Sequence, residues 1–348
     1  MTDISIAGRT IGTQHRPFIV AEAGINHNGE RERAIAMIHA AKAAGADAVK
    51  FQTFKAAEFC GDPNQMFTYR SQGKNVTEPM LTMFQRYELS RDDWFAIRKE
   101  CDKASIVFLS TPQNRSDLDL LLEIGIPAVK IGSDDFTNLP LLRSYAQTKL
   151  PIILSCGMAD LGEVCRSLDV VGALDGYPTV LLLCTSQYPT PPQDVNLRKL
   201  VTLHAAFPDL TLGFSDHTQG PMASSLAVAL GAAVFEKHFT LDHDLPGPDH
   251  WFAENPQELK EWVSSILAAK VMLGSARVCP TVAELGNKKE FSRMIVAARD
   301  IAAGEIFSES NLSMRRIAGG TGLPAHLFDY LAGRSTSKAY KKNDPIAL

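Results

Sequence analysis

The chain has 348 residues, 45% of them hydrophobic and 21% charged, with a formal charge of −4. That length exceeds the roughly 250–300 residues at which one hydrophobic core stops growing, so a large domain with a smaller companion is expected. The composition excludes a disordered or fibrous chain, and the small net charge excludes a general attraction to nucleic acid, though not a locally basic pocket.

Met1–Gly12 has neither the basic start nor the apolar run of a secretory signal. The longest small-apolar stretch, Ala227–Phe235, is far below the ~20 residues of a bilayer span, so a cytoplasmic location is expected. From Pro17 onward, short β-branched or apolar runs alternate with amphipathic ones. The strand candidates are Phe18–Ala23, Ala48–Thr53, Val107–Thr111, Ala128–Ile131, Ile152–Ser155, Val180–Thr185, Leu210–Ser215 and Ala233–Phe239. The last helical segment is the clearest, with Leu259, Trp262, Val263, Ile266 and Leu267 at three- and four-residue steps. Near-continuous apolar strands separated by helices signal a parallel sheet buried on both faces, and eight such units predict a (β/α)8 TIM barrel over residues 1–274. A doubly wound open sheet is the alternative. Residues 275–290, with Pro280, Gly286 and Lys288-Lys289, read as a polar connector. A second domain follows over 291–348, with short strand-like pieces such as Met294–Ala297; it is small enough to be expected to dock on something larger. The six cysteines form no Cys-x-x-Cys pair, which argues for buried thiols rather than a zinc site or disulfide framework.

In a barrel of this kind active sites lie at the C-terminal ends of the strands. Those ends offer Glu22; Lys50 with Gln52; Ser110 and Thr111; Lys130 with Ser133; Ser155; Thr185 and Ser186; Ser215 with His217; and Glu236 with His238. Alternate strand residues share a face, so Lys50 and Gln52, or Ser215 and His217, can enter one cavity. A serine in such a place also commonly caps the following helix. Lys50 and Lys130 lie inside apolar runs, where an ammonium needs an anion or an internal carboxylate, so either a phosphate or carboxylate site or a structural ion pair is expected. Lys237 should point away from His238 and pair between helices. His217 and His238 end consecutive strands and suit a divalent metal, although two histidines alone are equally compatible with packing. Asn26-His27-Asn28-Gly29 is either a substrate loop or the turn into the first helix.

These residues resemble the N-acylneuraminate (sialic acid) synthases, including legionaminate- and pseudaminate-type synthases and spore-coat polysaccharide relatives. The resemblance is carried by Ala-Glu-Ala-Gly-Ile-Asn-His-Asn-Gly (21–29), Ala-Gly-Ala-Asp-Ala-Val-Lys-Phe-Gln-Thr-Phe (44–54), Ser-Thr-Pro (110–112), Cys-Thr-Ser-Gln-Tyr-Pro (184–189), Gly-Phe-Ser-Asp-His-Thr (213–218), Glu-Lys-His-Phe-Thr-Leu-Asp (236–242) and Gly-Pro-Asp-His (247–250). The tail from Ile295 resembles the family's antifreeze-like (SAF, β-clip) domain. The resemblance implies a synthase that joins phosphoenolpyruvate to an N-acylated hexosamine, such as N-acetylmannosamine or a 2,4-diacetamido-6-deoxyhexose. It implies that His217 and His238 hold a Mn2+-type ion, with Mg2+ or Co2+ as alternatives. It places Lys50, Thr111, Lys130, Ser133, Ser155, Ser186 and Ser215 around phosphoenolpyruvate. Glu22, Gln52, Tyr188, Asp249 and Arg316 match positions that handle the sugar or water, and Asp135 stands where a glutamate is usual. It also implies a domain-swapped homodimer in which Arg316 reaches the partner's barrel. Departures fall on the sugar side: Gln113-Asn114, Ser133-Asp134-Asp135, Ile317, and Trp251–Pro256 in place of a Ser-Leu-x-Pro type segment. A Schiff-base aldolase using Lys50 or Lys130, and a non-catalytic sugar-phosphate binding module, are the competing readings.

Overall fold

The structure, a computed structural model, describes residues 3–317, 319 and 321–347; positions 1 and 348, the outer ends of the two expected domains, fall outside them. It divides into two compact units, Met1–Gly274 and Ser275–Leu348.

The first unit opens with a hairpin of β1 (Ile4–Ile6) and β2 (Arg9–Ile11), turned through Ala7 and Gly8, both at positive φ. Eight parallel strands follow in one ladder: β3 (Phe18–Gly24), β4 (Ala48–Thr53), β7 (Val107–Pro112), β8 (Val129–Ile131), β9 (Ile152–Ser155), β10 (Thr179–Leu183), β11 (Thr211–Asp216) and β12 (Val234–His238). β3, the first of them, pairs with β12, the last; β7 and β8 end the ladder and lie side by side, so the sheet curls into a nearly closed barrel. A second hairpin, β5 (Met66–Ser71) with β6 (Lys74–Pro79), is inserted between β4 and β7. The open-sheet alternative is excluded because the two ends of the ladder, β7 and β8, come together.

Each barrel strand splits its residues by period 2. Outward side chains such as Ile19, Val49, Phe108, Val129, Leu154, Leu181 and Phe235 meet the helices in one large core. Inward ones, among them Phe18, Val20, Ala48, Leu109, Ile153, Val180, Leu182 and Val234, fill the lower barrel together with Ile4, Ile6 and Ile11 of the first hairpin. That hairpin is therefore the plug of the barrel floor, a role carried by its Ile-Ser-Ile alternation. Gly213 belongs to the crowded inner set, where an added Cβ would come within 2.5 Å of the Val234 carbonyl oxygen. Continuing up the same inward rows, the side chains become Glu22, Lys50, Lys130, Ser155, Ser215 and Glu236, all buried.

The polar connector contains a helix, Val282–Phe291, capped by a Thr281/Glu284 box and with no buried side chain. Thr-x-x-Glu before Val282 is the signal for it. In the second unit β13 (Met294–Ala297) and β14 (Leu312–Arg315) pair antiparallel over a core that includes Ile295, Phe307, Leu312, Leu331 and Ile346.

Candidate active site

At the C-terminal end of the barrel lies a cavity of about 370 Å3. Strand register builds its floor. Glu22 stands opposite both Lys50 and His238 in the ladder, and Ser215 opposite Glu236. Lys50 Nζ lies 2.7 Å from Glu22 Oε2, 3.8 Å from Glu236 Oε2, and donates to Thr111 Oγ1 at 3.1 Å. Lys130 Nζ donates to Ser155 Oγ (2.8 Å) and the Ile131 carbonyl (3.0 Å), and lies 3.7 Å from Glu236 Oε1. Ser215 donates to Glu236 Oε1 at 3.1 Å, and Gln52 to Glu22 Oε1 at 3.3 Å. Two ammonium groups and two carboxyl groups thus form one buried net.

Burial pushes the Glu22 pKa up, to about 7, against the attraction of Lys50, and the nearby Glu236 charge adds to the rise. For Glu236 burial acts the same way, but Lys130 and Lys50 outweigh it and hold the group below the usual carboxylate range. Burial opposes the charge on Lys50, yet Glu22 and Glu236 keep its pKa above the ordinary value. For Lys130 burial prevails over the attraction of Glu236, and its pKa falls.

Above the net, the His217 and His238 ring centroids lie 5.6 Å apart, and Tyr188 packs 4.2 Å from the former and 5.6 Å from the latter. His217 Nδ1 bonds to the Thr185 carbonyl at 2.7 Å; a carbonyl only accepts, so Nδ1 carries the proton and Nε2 keeps a lone pair. His238 Nδ1 is buried without a hydrogen-bond partner, 3.8 Å from Asp249 Oδ2. Burial lowers the pKa of both rings, most of all His238, where the charge of His217 would add to the effect, so both are neutral and suited to ligation. Among the described residues no group of three or more His, Cys, Asp or Glu is gathered around one metal position. An ion held by these two imidazoles would complete its shell with water or substrate oxygens.

Ser133 and Ser186 meet at Gly157, where a Cβ would lie 2.7 and 2.4 Å from their hydroxyl oxygens, and Gly157 N–H donates to Ser133 Oγ. Of the residues singled out in the sequence, Glu22, Lys50, Gln52, Thr111, Lys130 and Ser133 line the cavity. So do Ser155, Ser186, Tyr188, Ser215, His217 and His238. Asp135 does not: its carboxylate accepts from Asn138 Nδ2 at 2.9 Å in the turn before a helix, and the neighbouring Asp134 faces the cavity. Asp249 stands beside His238 rather than on the wall, with burial raising its pKa to about 6. Arg316 lies in the second unit, its Nε donating to the Phe291 carbonyl at 3.2 Å.

Asn26-His27-Asn28-Gly29 is a structural knot. Asn26 donates to the Phe239 carbonyl, and Asn28 bonds the Pro246 carbonyl and His250 Nε2, while none of the four lines the cavity. Glu236, named with His238 at the end of its strand but given no role there, proves to be the centre of the net. Phe54 closes one of the motifs, but the aromatic wall it forms with Phe59 and Phe84, with centroids 5.0–5.8 Å apart, is not marked by them, since Phe84 arrives from a helix remote in sequence.

Comparison with known proteins gives the family and the fold. Residues 37–278 match the model of the NeuB family and residues 292–348 that of the SAF domain. The chain is 40% identical over 329 residues to the N,N'-diacetyllegionaminic acid synthase of Legionella pneumophila, covering 93% of this chain and 91% of that one. It is 32% identical over 344 residues to the human N-acetylneuraminate-9-phosphate synthase, covering 97% and 94%. Among solved structures, the spore coat polysaccharide biosynthesis protein spsE of Bacillus subtilis superposes with a TM-score of 0.69 at 34% identity, covering 99% of this chain and 98% of that one.

Proposed function

The chain belongs to the NeuB family, and from that premise we propose that it condenses phosphoenolpyruvate with the aldehyde of an N-acylated hexosamine, giving a nine-carbon 2-keto acid and phosphate. The observation that carries the reading is the buried net of two ammonium and two carboxyl groups beneath two neutral imidazoles in one cavity.

Lys50 and Lys130, with the hydroxyls of Thr111, Ser133, Ser155, Ser186 and Ser215, supply the donors that a phosphate and a carboxylate require. The Lys130–Glu236 contact is long, at 3.7 Å, so an incoming anion can take the ammonium without breaking a tight pair. His217 and His238 would hold a divalent ion, Mn2+ in the first instance and Mg2+ or Co2+ otherwise, which would supply Lewis acidity for carbonyl chemistry. The π pair of phosphoenolpyruvate forms the bond from C3 to the aldehyde carbon, whose oxygen takes up a proton. Water then adds at C2 and gives a proton to Glu22, whose pKa near neutrality suits a general base. The bond from C2 to the phosphate oxygen breaks, phosphate leaves with the electron pair, and the C2 hydroxyl loses its proton to become the keto group. Gln52, Tyr188, Asp249 and the aromatic wall are assigned to the sugar, Asp134 taking the place expected of Asp135.

The test is phosphate release and product mass on mixing the protein with phosphoenolpyruvate, Mn2+ and a panel of N-acylated hexosamines. No release with any member would overturn the synthase reading and favour a binding module. One observation favours a second reading: the lowered pKa of Lys130 is what a Schiff-base nucleophile needs. Borohydride trapping of a lysine with a keto substrate, with activity surviving chelation, would select it.

A further inference from the structure

Behind the two histidines lies a second buried charge network that the proposed chemistry does not use. Asp216 and Lys237 are ladder partners in β11 and β12, each immediately preceding a histidine of the site. Their side chains point to the opposite face of the sheet, where Lys237 Nζ lies 3.2 Å from Asp216 Oδ2 and 3.4 Å from Glu254 Oε1. All three residues are buried. Lys237, expected to pair between helices, instead joins the two strands that carry His217 and His238.

Most of the remaining bonds of the network end on residues that follow one histidine or the other. Lys237 Nζ donates to the Thr218 carbonyl. Asp216 Oδ1 accepts from Thr218 N–H (2.9 Å) and Oγ1 (2.7 Å), and Oδ2 from Ser224 Oγ (2.6 Å). Glu254 Oε1 accepts from Gly220 N–H at 2.9 Å, fixing the turn after His217. The Glu254 backbone N–H donates to the His238 carbonyl at 2.9 Å, and its own carbonyl accepts from Thr240 N–H at 2.8 Å.

A buried ion pair seldom adds stability over apolar side chains of the same volume, because desolvation offsets the attraction. What it supplies here is direction, at both histidine-bearing strand ends at once. We propose that Lys237, Asp216 and Glu254 are positioning residues that set the spacing and pitch of the His217 and His238 rings, and so the geometry they offer a divalent ion. The proposal rests on the reading of those rings as ion ligands.

The test uses the substrate-free full-length protein, Mn2+ binding by electron paramagnetic resonance and the visible spectrum of the Co2+ form. Lys237→Met is the direct variant; because it leaves two buried carboxylates without their cation, at a cost to folding, Lys237→Met/Glu254→Leu removes one charge of each sign. Asp216 then still keeps its bonds from Thr218 and Ser224. In the folded variant the Kd for Mn2+ should rise about 10-fold or more, as outer-shell substitutions do, with a changed Co2+ spectrum and cooperative unfolding retained. A Kd within twofold of the wild type and an unchanged spectrum would overturn the proposal and leave the network a purely structural element. A wild type that binds neither ion would overturn the ligand reading beneath it, and is recognised before any substitution is made.

Discussion

Replacing Glu22 by Gln should remove a specific pH dependence of barrel stability. The carboxyl is 1% exposed, and its pKa of about 7 in the folded chain stands against 4.5 for an ordinary glutamate. Between those values the unfolded chain has released a proton that the folded chain retains, so stability falls as pH rises through this window. Below 4.5 both states hold the proton and the group contributes nothing; above 7 its full cost is present. Integrating between pH 5 and pH 8 gives a loss on the order of 2–3 kcal/mol from this one group. Urea unfolding followed by tryptophan fluorescence isolates the barrel, because Trp94, Trp251 and Trp262 all lie in the first unit. The wild type should lose on the order of 2–3 kcal/mol more than Glu22→Gln over that interval. Equal losses in the two proteins would show that Glu22 titrates normally and would remove it as a base poised near neutrality.

Four further outcomes are expected. His217→Ala or His238→Ala abolishes turnover with the circular dichroism of the fold intact; retained activity in either would refute ion ligation by the pair. Lys130→Met keeps much of the packing of the lysine stem but removes a charged hydrogen-bond donor worth about 1.5–3 kcal/mol, lowering kcat/KM for phosphoenolpyruvate roughly 10- to 150-fold, and unchanged constants would return Lys130 to a structural role. Phe84→Ala opens the aromatic wall and raises KM for the sugar about tenfold while leaving that for phosphoenolpyruvate within twofold; equal changes in both would place the wall elsewhere in the mechanism. If Arg316 acts on the partner's barrel in a dimer, random exchange of His238→Ala with Arg316→Ala subunits restores about a quarter of wild-type activity, and no recovery despite exchange assigns each tail to its own chain.

Much of the barrel was legible because its strands are buried on both faces and therefore read as short apolar runs. Ile152–Ser155 falls at its expected bounds for that reason, and the expected Val180–Thr185 is observed as Thr179–Leu183. The two hairpins were not legible: Ile4-Ser5-Ile6 is too short to separate from noise, and Met66–Ser71 alternates exposed with half-buried side chains. In the site, polar residues interrupting apolar strands marked Lys50 and Lys130, but no sequence rule says whether a buried lysine meets a substrate or a carboxylate. The structure pairs Lys50 with Glu22 and Lys130 with Ser155 and, more loosely, Glu236, and only charge partners brought from separate strands could reveal that. Asp134 and Asp135 differ by a single position in a turn, where side-chain direction follows local dihedrals rather than the alternation that orders a strand.

The pairing of β3 with β12 has a consequence for synthesis of the chain. His238 follows its ladder partner Glu22 by 216 positions (238 − 22). At ribosomal speeds of about 5–20 residues per second, β3 emerges roughly 10–40 s before the strand that covers its second edge exists. During that interval Phe-Ile-Val-Ala-Glu-Ala-Gly offers an unpaired edge, the kind of segment that recruits other chains. Glu22, the one charge within it, then serves as a gatekeeper against misassembly on the nascent chain before it serves any substrate.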